Sequence, residues 1–244
     1  MRSNTVLAVL LLFTTVAFAQ EIPAGTALPV SLTSTLDAAK AKPGQVVNGR
    51  LTQDVPLPAG KHIPRRSQVQ GKVLEVRRPA AGTGSQVILQ FDRIHTKGAD
   101  FPISAGLRAI ASLPAVLGAT EPTSPPLTEM NPPSSWTTNQ IGGEVVYRAG
   151  GQVMAGDTAV AKPVAYGVLG QFRPNPVSHC SNEGNDREQA LGIFATTACG
   201  VYGYENLSLA HAGITDPKGQ ITLTSTGDVQ LYSGSGLLLV TVGK

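Results

Sequence analysis

The chain has 244 residues, 41% of them hydrophobic but only 14% charged and 5% aromatic, with 27 Gly, 18 Pro and a formal net charge of +3. Abundant Gly, Pro and β-branched residues argue against a helical bundle and suit short strands joined by many turns. The charge is uneven: residues 20–104 hold 11 Lys or Arg against 6 acids, and residues 105–244 hold 7 against 10.

At the start, Arg2 supplies a positive charge, Val6–Phe13 is an unbroken apolar run, and Ala17-Phe18-Ala19 is an A-x-A cleavage site before Gln20. This is the pattern of a cleavable Sec signal peptide over residues 1–19. The run is shorter than the ~20 residues a spanning helix needs, and no later segment is long and apolar enough, so no transmembrane helix is expected in the mature chain. No Cys follows the cleavage site and no twin-Arg precedes it, so neither a lipid anchor nor export in the folded state is expected. The predicted destination is the periplasm or outer-membrane surface, or the outside of the cell.

About 225 residues remain after the leader, enough for one large β domain or two small ones. Ile22-Pro23-Ala24-Gly25-Thr26 reads as a turn, and over Ala27–Leu32 the residues Leu28, Val30 and Leu32 alternate onto one face, the period of a strand. Pro43-Gly44 turns into a strand at Val46–Leu51, and Leu57 to Gly60 turns out of it. Further strands are predicted at Gln68–Val76, Gln86–Phe91 and Phe101–Ile103. Between Ser112 and Ser135 stand Pro114, Pro122, Pro125, Pro126, Pro132 and Pro133, which deny that stretch both ladder and helix hydrogen bonds. Residues 112–135 are therefore read as an exposed Pro-rich linker or loop. Beyond it, Gly142–Tyr147, Ala165–Phe172, Leu191–Thr196, Ile221–Ser225 and Leu237–Val242 read as strands, with Asp186 capping a short helix over Arg187–Leu191. The pairs Gly142-Gly143 and Gly150-Gly151 mark tight turns or close backbone approach. The fold class is all-β, a small barrel or sandwich of short antiparallel strands with little helix. Its first part spans 20–111, and 136–244 is either a separate β-rich unit or completes the same barrel.

A weak repeat supports closure. Ile22-Pro23-Ala24-Gly25-Thr26, followed by Leu28 and Val30, recurs as Leu231-Tyr232-Ser233-Gly234-Ser235, followed by Leu237 and Leu239. A third copy starts at Ile63-Pro64-Arg65, with Arg66 in the Gly slot and Ser67 and Val69 after it. If that slot needs a positive φ, Arg66 is strained there. A motif at both ends predicts that the terminal strands are neighbours.

Two further groups stand out. Cys180 and Cys199, an even count in an exported chain, predict a disulfide; the competing reading is a metal site with His179 or His211. Lys61, Arg65, Arg66, Lys72, Arg77 and Arg78 form a basic stretch that suits anionic lipid, polysaccharide or a partner's acidic face, or simply a solvated strand edge guarded against aggregation.

The order Ile22 to Thr26, Pro43-Gly44, Asp54-Val55, Gly60, Ile63-Pro64, Ser67, Gly71, then Gln86 to Asp92 and Phe101-Pro102-Ile103 resembles the TrbI-like β-barrel domain of conjugation and type IV secretion proteins. The resemblance covers residues 22–104, and Leu231 to Val242 is similar to the last strand of such domains. It implies a β-barrel in the periplasm and outer-membrane core complex that assembles into rings and performs no catalysis. Secretion members usually carry an inner-membrane helix where this chain has a cleavable leader, so a bridge across both membranes is not implied. The chain is also similar to exported proteins of soil acidobacteria, which imply no activity.

Chemical motifs are sparse. Gly82-Thr83-Gly84-Ser85-Gln86 and Ser233-Gly234-Ser235-Gly236 read as turns rather than nucleophile elbows. His62, His95, His179 and His211 stand singly, with no metal-ligand spacing. The polar cluster Asn182 to Glu188 has donors suited to Ca²⁺ without EF-hand spacing, and reads better as a solvated turn. Trp136, Tyr147, Tyr166, Tyr202, Tyr204 and Tyr232 serve equally as core or as a sugar-binding face. Phosphate-loop, dinucleotide and basic-aromatic motifs are absent, so neither nucleotide nor nucleic acid is expected. No catalytic residue, metal ligand or cofactor is assigned. The expected function is a non-catalytic exported envelope component working through contacts with envelope proteins or anionic envelope polymers. The alternative is a secreted polysaccharide- or peptidoglycan-binding module, and a third reading is a hydrolase whose carboxylates meet only in space.

Overall fold

The computed structural model describes residues 22–78, 83–123, 137–147, 151–175, 177–178, 180–182, 186–210 and 218–243. Residues 1–21, the second half of the Pro-rich segment, Trp136, Gly150, His179, His211 and residues 183–185 lie outside them. Numbering the strands of the two larger sheets in chain order, β1 (Ala27–Leu32), β2 (Val46–Leu51), β3 (Gln68–Arg77), β4 (Ser85–His95) and β5 (Asp100–Ala111) form an antiparallel meander. A second antiparallel sheet follows from β6 (Thr137–Asn139), β7 (Val145–Tyr147), β8 (Val153–Ala155), β9 (Thr158–Val164), β10 (Gly167–Gly170) and β11 (Gln189–Ala190), each paired with the next. The chain then rejoins the first sheet: β12 (Gly200–Tyr202) runs parallel to β5, and β13 (Leu207–Ala210) pairs with β14 (Gln220–Ser225), which lies against β4. The last strand, β15 (Gly236–Thr241), pairs antiparallel with both β1 and β5 and closes a six-stranded barrel, β1-β2-β3-β4-β5-β15. Ala27 stands opposite Val240 and Ser31 opposite Gly236, so the terminal strands are neighbours.

Alternation explains which residues fill the barrel. Leu28, Val30, Val47, Leu51, Val69, Leu89, Phe91, Leu107, Leu237 and Leu239 belong to the interior core, each at most 2% exposed. Ala27, Ala109, Ala111, Leu238 and Val240 point outward into a second core shared with Val146, Val153, Val168, Leu191 and Phe194. Being covered on both sides makes β15 a continuous apolar run buried at every position, whereas β2 alternates buried and solvated residues. The walls close tightly because Gly49 and Gly71 lack a Cβ. A methyl at these positions would lie 2.3 Å from Val30 Cγ1 and 2.5 Å from the Gln90 carbonyl oxygen. Irregularities in the register of β3, β4 and β15 add the local bends that ring closure needs.

The three repeat turns have one design. Gly25, Arg66 and Gly234 have φ of 72°, 68° and 92°, the left-handed third position of a type II turn. The Thr26 and Ser67 hydroxyls donate to the carbonyls of Pro23 and Pro64 at 2.7 and 2.6 Å, and Ser235 N–H donates to Tyr232 O at 3.0 Å. Each turn launches a barrel strand, β1, β3 or β15.

Four expectations need correction. The Pro-rich stretch begins with a helix, α1 (Leu113–Thr120): Ser112 caps it by accepting from Ala115 N–H, and Pro114 sits in the first turn, where its missing N–H has no helical partner to lose. No helix follows Asp186; Gln189 and Ala190 instead pair with β10 as strand β11. Leu191–Thr196 is a chain of turns with a single parallel bridge, Ile141 to Phe194, rather than a strand. The strands expected from Gly142 and Ala165 start later, at Val145 and Gly167, because Gly142, Gly143 and Tyr166 have φ of 114°, 95° and 65° and turn the chain first.

Polar side chains fasten the second sheet to the barrel. Gln53 donates from Nε2 to Val168 O at 3.0 Å and accepts from Gly192 N–H at 2.8 Å, while Gln189 Oε1 accepts from Ala27 N–H at 2.9 Å. Gln53 and Gln189 are both buried, where such bonds are worth most.

Candidate functional site

The six cations singled out in the sequence do not share one face. Lys61, Arg65 and Arg66 surround the turn that feeds β3, Lys72 lies in its middle, and Arg77 and Arg78 follow at its far end, roughly 30 Å away at the usual rise per residue. Arg78 is occupied by the Ala41 carbonyl at 3.4 Å. Lys72 pairs with Asp92 at 3.3 Å across β3 and β4, both side chains being well solvated, so the pair contributes less than about 1 kcal/mol.

Lys72 belongs to a wider surface that the sequence alone did not reveal. Among the described residues the second sheet covers β1, β5 and β15 and leaves the outer face of β2, β3 and β4 open. Register places Arg50 beside Gln68, Gln68 beside His95, Asn48 beside Gln70, Gln70 beside Arg93, and Lys72 between Val46 and Gln90. Arg50, Lys72 and Arg93 are exposed there, with Glu75, Asp92 and Asp100 the neighbouring acids. Cross-strand bonds order this face: Gln68 Nε2 donates to Asn48 Oδ1 at 3.0 Å, and His95 bridges Asp100 at 2.8 Å and Gln70 at 3.3 Å. Only the strand register, invisible in linear order, brings Arg50 and Arg93 onto one face, in adjacent rows on the two strands that flank β3.

A second feature is a cleft of about 320 Å³ between two turns, one from each layer. On one side a short hairpin pairs Val55–Pro56 with His62–Ile63; on the other lies the β9–β10 turn. Lys61, His62, Pro56, Leu57, Val164 and Leu169 line it, with Gln53 and Asp54 at its base. Beside it the Arg65 guanidinium lies 3.4 Å from the centre of the Tyr166 ring. Tyr204 and Tyr232 line a separate cleft with Glu205 and Asp228, so the tyrosines do not gather on one surface.

The cysteines pair as expected: Cys180 and Cys199 form a disulfide with Cα atoms 6.1 Å apart. Buried Arg108, a lone charge in the apolar run of β5, holds the disulfide loop to the barrel. Its Nε, Nη1 and Nη2 donate to the carbonyls of Ala198, Ser181 and Arg173 at 3.0, 2.7 and 2.9 Å, and its guanidinium lies 4.2 Å from the Phe172 ring centre. Glu144, 2% exposed, accepts from Thr196 N–H at 3.0 Å and from the Thr196 hydroxyl. Ser85 is likewise structural, its hydroxyl donating to Gly227 O at 2.8 Å and accepting from Val229 N–H at 2.6 Å. Of the polar cluster, Glu188 pairs with Lys162 at 2.8 Å and Arg187 donates to Ala24 O at 3.2 Å, tying that loop to the barrel and second sheet. Among the described residues no helix is long and apolar enough to cross a membrane. No protein-family model matches the chain, and no curated protein is similar to it.

Proposed function

We propose that the protein is a non-catalytic exported component of the cell envelope that docks to other envelope proteins through the open outer face of its barrel. The observation that carries this reading is the asymmetry of the barrel. One side is sealed by the second sheet, while the other presents Arg50, Lys72 and Arg93 among ordered amides. Exposed cations held in fixed rows attract an acidic partner and set its register more than they supply raw affinity. The likeness of residues 22–104 to TrbI-like barrels, which assemble into rings, supports the same direction. So does the end of the barrel sheet at β13, where a strand from a partner has an edge to join. The disulfide fits an oxidising compartment such as the periplasm.

Reversing two charges tests this reading. Arg50→Glu with Arg93→Glu should leave the thermal midpoint unchanged, because both side chains are solvated, and abolish co-purification of envelope proteins. Partners retained at the wild-type level would contradict it. A second reading, a polysaccharide- or peptidoglycan-binding module, draws on the exposed rings of Tyr147, Tyr166 and Tyr232, 47%, 66% and 49% exposed. Saturable pull-down by purified cell wall, with no protein partner, favours it instead.

A further inference from the structure

Among the described residues three non-glycines have left-handed backbone, Ala59, Arg66 and Tyr166, and they belong to the turns that border one cleft. Ala59 precedes the lining residue Gly60, Tyr166 follows the lining residue Ala165, and Arg66 follows Arg65, which stacks on Tyr166. A left-handed residue with a side chain is strained, and such strain collects at binding sites. Core packing gives no reason for it at Arg66 or Tyr166, since both are exposed, Tyr166 at 66%. In the other two copies of the turn the equivalent residues are Gly25 and Gly234. The chain keeps a cation and an aromatic ring where glycine is the relaxed choice.

We propose that this cleft binds an acidic saccharide unit, a sugar ring bearing a carboxylate. This site is separate from the docking face of the barrel. Lys61 and His62 line the cleft and Arg65 stands beside it, against a single lining carboxylate, Asp54, whose Oδ1 already accepts the Arg65 backbone N–H at 2.6 Å. Among the described residues Lys61 has no ion-pair partner, so its ammonium is available to an anion. Pro56, Leu57, Val164 and Leu169 give an apolar wall for the C–H face of a ring, and the Arg65–Tyr166 stack adds a flat surface beside it. The volume, about 320 Å³, sits at the small end of ligand sites, the size of a sugar unit rather than a folded partner. A peptide strand is a poorer occupant, because Pro56 and Pro58 offer no N–H to pair with it. Gln53 Oε1 accepts from the Val168 and Gly192 N–H groups and its Nε2 donates to Val168 O, so this amide fixes the wall of the cleft.

Calorimetric titration of the purified protein with trigalacturonate, its neutral methyl ester and inorganic phosphate tests this assignment. Trigalacturonate should bind saturably, the ester at least tenfold more weakly, and phosphate without saturation over the same range. Lys61→Ala with Arg65→Ala should weaken trigalacturonate at least tenfold. Lys61→Ala alone should weaken it while leaving the thermal midpoint unchanged, because that side chain is solvated, which separates a lost contact from a lost fold. Arg50→Glu with Arg93→Glu should leave saccharide binding intact, so failure of the docking reading and failure of this one are distinguishable. No binding of trigalacturonate, equal binding of the ester, saturable phosphate binding, or wild-type affinity in the double cleft variant would each overturn the proposal.

Discussion

Arg108 shows how much one side chain can hold. Fully buried, it donates to three carbonyls of the segments that flank the disulfide, so a hydrophobic replacement of similar length leaves those acceptors without their donor. Arg108→Met is expected to lose roughly 3 kcal/mol, read as a lower urea midpoint at unchanged slope; an unchanged midpoint counts against this role. Tyr204 sets an alkaline limit. Burial pushes its phenol above the ordinary 10.0, opposed by the hydrogen bond with Ser235 at 3.0 Å. The unfolded chain therefore gives up this proton at a lower pH than the folded one. Stability present below about pH 10 is lost as pH rises through the folded value. Tyr204→Phe should flatten the fall in thermal midpoint above about pH 10, and parallel curves for variant and wild type would refute the assignment.

At the scale of elements, β15 is the strand on which closure depends. Leu237, Leu238, Leu239 and Val240 are each at most 2% exposed, two facing the barrel core and two the second sheet. At roughly 1.5–3 kcal/mol per buried side chain, their loss approaches the whole stability of an ordinary domain. Deleting Leu237 to Lys244 should therefore abolish cooperative thermal unfolding, and a deletion that melts like wild type would contradict a closed barrel. The disulfide closes a 19-residue separation and should contribute roughly 3 kcal/mol, so the paired Cys180→Ser and Cys199→Ser change lowers the urea midpoint accordingly. The strands β1 and β2 were legible because alternating residues and flanking turns mark their ends. The left-handed turn at Arg66 was legible through its match to Gly25 and Gly234. Helix α1 was hidden because six prolines outweigh one good cap in a linear reading, although Pro114 falls at the position a helix tolerates. Leu191–Thr196 looked like a strand because its residues are buried, but it is buried as turns wedged against Ile141.

For the whole molecule, two cores share one set of strands: the barrel interior, and the layer between β1, β5 and β15 and the second sheet. That arrangement leaves one barrel face bare, and the proposed docking surface is this residue of the packing. The basic groups at Arg66 and Arg77, within one short stretch of sequence, fall at opposite ends of β3, while Arg50 and Arg93, far apart in sequence, share one face in adjacent rows on either side of it. No linear reading of charge could sort them, since the sorting is done by register. The most direct test is the native mass of untagged protein extracted from envelope fractions in mild detergent, compared with the purified chain. Wild type should run as a large discrete complex and the Arg50→Glu, Arg93→Glu variant at the mass of the purified chain; wild type running at that same mass would contradict assembly through this face.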